Sequence, residues 1–254
     1  MTGPLPYIGG KHRIAKQIIA IFPAHTTYVE AFAGGAQVLF YKPIETSKAE
    51  VLNDLDGDIV NFFRICQSHY EELLRYLKFV LVSRRWFSLF ESENLETLTD
   101  IQRAARLFYL QKNAYAALVN RRTYMHSAVG PRPFNPARIP EIIENAHHRL
   151  ERVQIECLPY EQILARFDRP QALFYLDPPY WGRKLYRFNF AEADFKELAE
   201  RLRNIHGKFV LSLNDVPEVR ELFRGFRFRE IAFAYSAQQK PGKRYQELLI
   251  TNFS

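Results

Sequence analysis

Apolar positions along the chain follow two rhythms. Short unbroken apolar runs bounded by turn residues predict buried strands, and longer stretches with apolar side chains three or four apart predict helices. Near the N-terminus, "GGKHRIAKQIIAIF" carries Ile14, Ile18, Ile21 and Phe22 at helical spacing. "TYVEAFA" predicts a short strand, Gly34-Gly35 leads into the helix start "AQVLFY", and "AEVLND" predicts a second strand ending at Asn53-Asp54. From residue 57 the texture changes. "DGDIVNFFRICQSHYEELLRYLKFVLVSRRWFSLF" predicts amphipathic helix, "DIQRAARLFYLQKN" a second helix with an aspartate cap, and "IPEIIENAHHRLERV" a third. The only sheet signal in this stretch is a hairpin inside 119–135. After 152 the alternation resumes: strand "VQIEC", helix "YEQILARF", strand "ALFYL", helix "EADFKELAERLRN", strand "KFVLSL" and helix "VPEVRELF". The last two strands, "RFREIAFAY" and "YQELLITNF", flank a polar loop and are expected to pair as a hairpin. The pattern predicts an α/β sheet interrupted by a mostly helical insertion, with 1–56 and 152–254 forming one domain and 57–151 the other.

Composition narrows the class. With 254 residues, 47% of them hydrophobic, the chain buries a substantial core as one large domain or a domain with an insertion. Charges break every apolar run well before 18 residues, and the N-terminus has no secretory apolar segment, so no membrane association is expected. Cys66 and Cys157 give neither a disulfide framework nor metal spacing. The adjoining His147 and His148 should diverge on a helix, so no metal site is expected. The chain reads as cytoplasmic and reduced.

Charge adds a partner. The net charge is +7, and the segment 112–140 holds Lys112, Arg121, Arg122, Arg132 and Arg138 with no acid. Tyr115, Tyr124 and Phe134 are interleaved with Gly-Pro and Asn-Pro turns. A solvated loop usually mixes both signs. Cations among aromatics fit a nucleic-acid surface better, with phosphates on the cations and bases on the rings.

Two motifs carry chemistry. Gly34-Gly35 suits either a plain strand–helix turn or a cofactor site where the backbone must approach a ligand. Asp54, at the end of the next strand, is placed to accept both hydroxyls of a ribose. The turn is not GxGxxG and lacks a nearby basic cluster for a pyrophosphate. An adenosine cofactor without phosphate, such as S-adenosylmethionine, therefore fits best. The second motif is "ALFYLDPPY", in which an apolar strand runs into Asp177, Pro178, Pro179 and Tyr180. Proline fixes its own φ and extends the residue before it, so the Asp177 carboxylate and the Pro178 carbonyl are held to converge. Two acceptors on one point suit the two N–H bonds of an exocyclic amine, and Tyr180 can lie on the face of its base.

In these motifs and their order the chain resembles the Dam-type DNA adenine N(6)-methyltransferase family over nearly its whole length. "PYIGGK" is similar to the family's N-terminal motif, "YVEAFAGGAQVLF" to its glycine motif, "VLNDLD" to its ribose-binding segment and "LFYLDPPY" to its catalytic tetrapeptide. "GKFVLSLND" and "YQELLITNF" match later strands. The resemblance implies a Rossmann-like S-adenosylmethionine-dependent methyltransferase sheet, with the helical insertion as target-recognition domain. It implies cofactor contacts at Tyr7, Lys11, Phe32, Gly34, Gly35, Asp54, Tyr160 and Asp177, and catalysis by Asp177, Pro178 and Tyr180. It also implies double-stranded DNA as substrate, bound through Leu118, Asn120, Arg121, Arg122, Arg132 and Arg138, with a flipped adenine as methyl acceptor. A monomer is expected, with a companion restriction endonuclease as a partner consistent with the family. Three positions depart from the pattern: Ala31 replaces a proline, Pro159 replaces a carboxylate, and Asn120 stands where an arginine is usual, which points away from the GATC specificity of well-known members. Methylation of RNA or of a protein glutamine amide is the alternative chemistry. A catalytically silent DNA-binding module is the alternative class.

Overall fold

The computed structural model describes residues 2–117, 122–125, 134–234 and 244–254. Seven strands form one sheet: β1 (Thr27–Glu30), β2 (Ala49–Asn53), β3 (Val153–Glu156), β4 (Ala172–Leu176), β5 (Lys208–Asn214), β6 (Arg227–Ala234) and β7 (Arg244–Thr251). Their order is β3-β2-β1-β4-β5-β7-β6. The first five are parallel, and β7 runs antiparallel to both β5 and β6. The two final strands pair as expected, and the structure adds that β7 inserts between β6 and the parallel sheet. Chain order departs in opposite directions from β1, toward β2 on one side and β4 on the other, so the crevice at its carboxyl end is the expected ligand position. This is the Rossmann-like α/β sheet that the motifs imply.

Period-two alternation splits the core between the sheet's two faces. Tyr28, Leu173, Tyr175 and Val210 face one cluster, while Val29, Phe174, Phe209 and Leu211 face the other. All five residues of β4 are buried, as a central parallel strand covered on both faces requires. Helices α1 (Ala15–Ile19) and α2 (Gln37–Tyr41) supply residues to the first cluster. Helices α3 (Gly57–Ser68), α4 (Tyr70–Leu77), α5 (Arg84–Ser92), α6 (Asp100–Asn113) and α7 (Ile139–Leu150) extend the same cluster outward. Helices α8 (Tyr160–Phe167), α9 (Glu192–Arg203) and α10 (Pro217–Leu222) cover the opposite face.

The insertion departs from its pattern in two places. The stretch read as one amphipathic helix is three. His69, at φ −139° and ψ 38°, ends α3, and the β-branched Val80 and Val82 lie in the loop before Ser83, whose hydroxyl caps α5 by accepting from Trp86 N at 3.1 Å. The apolar period continues through both breaks because Leu73, Leu77, Val80 and Phe87 all reach the core. Asp100 is not the cap of α6. Thr99 is, in a capping box with Gln102, and Asp100 occupies the first turn, where it favours the helix dipole.

A buried ion cluster fastens the insertion to the sheet. Glu50 on β2 accepts from Lys42 Nζ at 2.9 Å and from both terminal nitrogens of Arg149 on α7 at 2.6 and 2.9 Å. Arg149 also donates twice to the Leu39 carbonyl of α2. At the C-terminal end of α7 the tips of His147, His148 and the capping residue Glu151 lie within 4.8 Å of one another, closer than adjacency on a helix suggested. His148 Nδ1 lies 2.9 Å from Glu151, whereas His147 Nδ1 lies 2.9 Å from the Gln67 carbonyl.

Candidate active site

Strand register assembles the site. Glu30 on β1 pairs with Leu52 on β2 and with Tyr175 on β4. Phe32, Asp54 and Asp177 each follow that row by two residues, so three loops leave the sheet side by side. Between them opens a cavity of about 450 Å³, lined by Tyr7, Phe32, Gly34, Asp54, Tyr160 and Asp177 among others. Six of the eight cofactor residues expected from sequence thus share one space.

Gly34 takes φ +47°, and a Cβ there would lie 2.9 Å from the Tyr7 ring. Its hydrogen side chain lets the N-terminal segment close over the turn. Gly35 also meets a packing demand of its own. A Cβ on it would stand 2.6 Å from the Leu5 carbonyl, so it seats the N-terminal segment. Asp54 accepts from Gly34 N and from Asp56 N, both at 2.8 Å, which fixes its carboxylate at the cavity wall. Burial raises its pKa to about 6. Phe32, Tyr160 and Phe190 form an aromatic wall with ring centroids 5.5–5.7 Å apart. The Tyr160 hydroxyl is buried there without a hydrogen-bond partner. Pro159 begins α8 with no side-chain cap, and Glu161 and Asp194 bring carboxylates to this wall.

Lys11 is not among the residues lining that cavity and instead holds Asp177 at the strand end. Its side chain is 5% exposed, and Nζ donates to Asp177 Oδ1 at 2.6 Å, Asp177 Oδ2 at 2.8 Å, the Tyr180 hydroxyl at 2.9 Å and the Gly9 carbonyl at 3.0 Å. Burial works against its charge, but Asp177 and Glu247 outweigh it and hold the pKa well above the usual lysine range. Asp177 is pushed up by burial and pulled down by Lys11, with Glu247 raising it further. The bidentate ammonium keeps it ionised at neutral pH. Asp177 retains 21% side-chain exposure toward the cavity. Among the described residues, no hydrogen bond reaches the Pro178 carbonyl.

Sequence reasoning missed Glu247, Glu30 and the 186–190 loop. The Tyr180 hydroxyl donates to Glu247 on β7, with its oxygens 2.6 and 2.7 Å away. Glu30 is buried beside Asp177 and accepts from the Tyr28 hydroxyl and Leu39 N, both at 2.8 Å. Burial lifts its pKa to about 8, so it adds little negative charge near Asp177 at neutral pH. The signal for both was a lone acid inside an apolar strand. Tyr186 stacks on Tyr7 at 6.0 Å, and Arg187 reaches across to Asp56 and Asp58 at 3.3 and 3.4 Å.

Of the expected DNA contacts, Leu118, Asn120, Arg121 and Arg132 lie outside the described residues, as does most of the expected hairpin. The described pairing there starts before 119: Tyr115 N donates to the Thr123 carbonyl and Met125 N to the Asn113 carbonyl, each at 2.8 Å. Arg138 is exposed. Arg122 is half-buried with an unpartnered Nε, within electrostatic reach of Arg106, Glu91, Asp56 and Tyr7.

A family model for the D12 class N6 adenine-specific DNA methyltransferases matches residues 7–236. The type II methyltransferase M.MjaIII of Methanocaldococcus jannaschii is 25% identical, with 98% of each chain covered. The DNA adenine methylase of Haemophilus influenzae is 21% identical over 94% of this chain and 89% of its own. A solved methyltransferase structure from Pyrococcus furiosus aligns at 12% identity and TM-score 0.40, covering 94% of this chain and 82% of that one.

Proposed function

The chain belongs to the D12 class of N6 adenine-specific DNA methyltransferases, and from that premise we propose how its residues divide the work. The methyl donor is S-adenosylmethionine, and the acceptor is the N6 amine of an adenine flipped out of double-stranded DNA at a specific site. The observation that carries this reading is Asp177, which lines the cavity, is held by Lys11 through both carboxylate oxygens, and is followed directly by a Pro178 carbonyl that accepts no hydrogen bond among the described residues.

The cavity suits the donor. It offers a fixed carboxylate at Asp54 for ribose hydroxyls, an aromatic wall of Phe32, Tyr160 and Phe190 for a base, and a buried Tyr160 hydroxyl lacking a partner. When bound, the donor supplies an electrophilic methyl group. The chain supplies position, which by itself accounts for much of the rate in such transfers. An exocyclic amine is a weak nucleophile because its lone pair is delocalised into the ring. Asp177 and the Pro178 carbonyl, accepting its two hydrogens, favour the pyramidal nitrogen whose lone pair is free. Tyr180 lies on the base face, and Asp177 is the nearest carboxylate to take the proton that the methylated nitrogen releases. Residues 57–151 read the target, with Arg138 and the basic loop on phosphates and Leu118 filling the vacated stack. The working form is a cytoplasmic monomer, with a companion endonuclease as a natural partner. The class match decides against RNA and protein-glutamine substrates.

Asp54→Ala is expected to weaken cofactor binding roughly tenfold or more, since hydrogen bonds to a charged group are worth ~1.5–3 kcal/mol. Because only the ionised group accepts both hydroxyls, affinity should also fall as pH drops below about 6. Calorimetry across pH 5–8 checks both, and unchanged affinity in the variant would place the ribose elsewhere.

The direct test of function is single-molecule sequencing of the genome of a host without its own adenine methyltransferases, expressing this protein. N6-methyladenine at sites other than, and less restricted than, GATC is the expected result. Asparagine at position 120 cannot reproduce the bidentate grip of arginine on guanine, worth ~1–3 kcal/mol of discrimination. No adenine methylation would overturn the function, and methylation confined to GATC would overturn the specificity argument alone.

A further inference from the structure

Glu247 has no role in the chemistry described so far, yet its surroundings are those of a working group. It sits on β7 opposite Asn214 and is 2% exposed. Burying a carboxylate is costly, and an apolar residue of similar volume often serves packing as well or better. Leu248, Leu249 and Ile250, which follow it on the strand, are fully buried and apolar. The carboxylate accepts from the Tyr180 hydroxyl with both oxygens and from Ser212 Oγ, and it lies 3.5 Å from Lys11 Nζ. Of its three partners, Lys11 also holds Asp177, and the Tyr180 hydroxyl accepts from that same lysine.

We propose that Glu247 is a positioning residue for methyl transfer, holding the Tyr180 ring through its hydroxyl and setting the charge balance at Asp177 through their shared lysine. The proposal rests on the roles of Asp177 and Tyr180 given above. A tyrosine ring that must lie on a flipped base needs a defined plane, and packing one face alone leaves the ring free to tilt. The hydroxyl, tied to Glu247 and to Lys11, fixes the far end of the ring. Asp177 and Glu247 also share one ammonium. The groups facing Asp177 are Lys11 from the N-terminal loop, Glu247 from β7, Tyr175 from β4 and Glu30 from β1. Of these, Lys11 favours the ionised carboxylate and Glu247 opposes it. Removing the charge of Glu247 therefore makes Asp177 more acidic.

The test compares wild type, Glu247→Gln, Tyr180→Phe and the double variant in steady-state kinetics with duplex DNA and S-adenosylmethionine, from pH 5 to 9. Glu247→Gln is expected to lower kcat roughly ten- to hundredfold, in keeping with loss of a charged hydrogen bond, with both KM values within about twofold. The acid limb of its kcat profile should move to lower pH. A merely structural role does not produce that shift. The double variant should be no slower than the slower single variant, because both changes cut one tether. Unchanged kcat with an unmoved acid limb would overturn the proposal, as would additive losses in the double variant. Should Glu247→Gln fail to fold, Tyr180→Phe reads the same tether from its other end: a similar kcat loss at unchanged Tm supports it, and wild-type kcat overturns it. Wild type without adenine methylation would instead refute the functional reading beneath it.

Discussion

Asp177→Ala is expected to lower methyl transfer by roughly 10²–10³-fold, the loss typical when a preorganised transition-state hydrogen-bonding group is removed, while DNA binding stays near wild type. The side chain points a fixed charge at the cavity, and its hydrogen-bond partner among the described residues is Lys11, outside the basic loop. Its removal leaves Lys11 close to Glu247, 3.5 Å away, so the ammonium keeps a buried counter-charge and the fold persists. Asp177→Asn preserves shape and one acceptor, but replaces the other acceptor with a donor that repels the amine hydrogens. It should therefore be nearly as inactive as the alanine variant. Single-turnover methylation beside a DNA-binding isotherm separates the two effects. Turnover above about a tenth of wild type in either variant would remove Asp177 from the reaction.

The largest effect on stability is expected far from the chemistry. Glu50→Ala should destabilise the protein by about 3–5 kcal/mol, because it strands two buried cations whose only carboxylate among the described residues is Glu50. The Lys42 and Arg149 side chains are 1% and 4% exposed, so water cannot replace the lost partner without opening the core. Burial already lowers the Lys42 pKa, and losing Glu50 removes the contact that opposes that shift. For a chain of this size about 1 kcal/mol moves Tm by roughly 2–4 °C, so a fall on the order of 10 °C is expected. Glu50→Gln should cost less, since the amide oxygen still accepts from Arg149. Denaturant unfolding measures both variants, and a loss under about 1 kcal/mol for Glu50→Ala would show that the cluster relaxes into solvent.

These two carboxylates illustrate different routes from sequence to structure. Asp177 was legible because its geometry is local: an apolar strand must end somewhere, and a diproline after it fixes where the carboxylate and carbonyl point. Asp54 and Gly34 were legible for the same reason, since a strand end and a left-handed turn each depend on a few consecutive residues. The alternation of strands and helices, and hence the class of fold, follows from periodicity that needs no partner. Glu50 and Glu247 showed only as lone acids within apolar runs, a sign that something must neutralise them without saying what.

The chain by itself thus determined which segments form the seven strands and which acids follow β2 and β4, while β1 ends at Glu30, earlier than its apolar run. Tertiary structure decided what those acids meet. Lys11 reaches Asp177 across 166 residues of chain, and Glu247 reaches Tyr180 across 67. Gly35 proved to seat the N-terminal segment, and the long helix of the insertion proved to be three. Local rules set backbone conformation within a few residues. Pairing between distant charges is chosen by the sheet order that brings β7 beside β5 and the N-terminal loop over β4, and by the high cost of burying any charge alone.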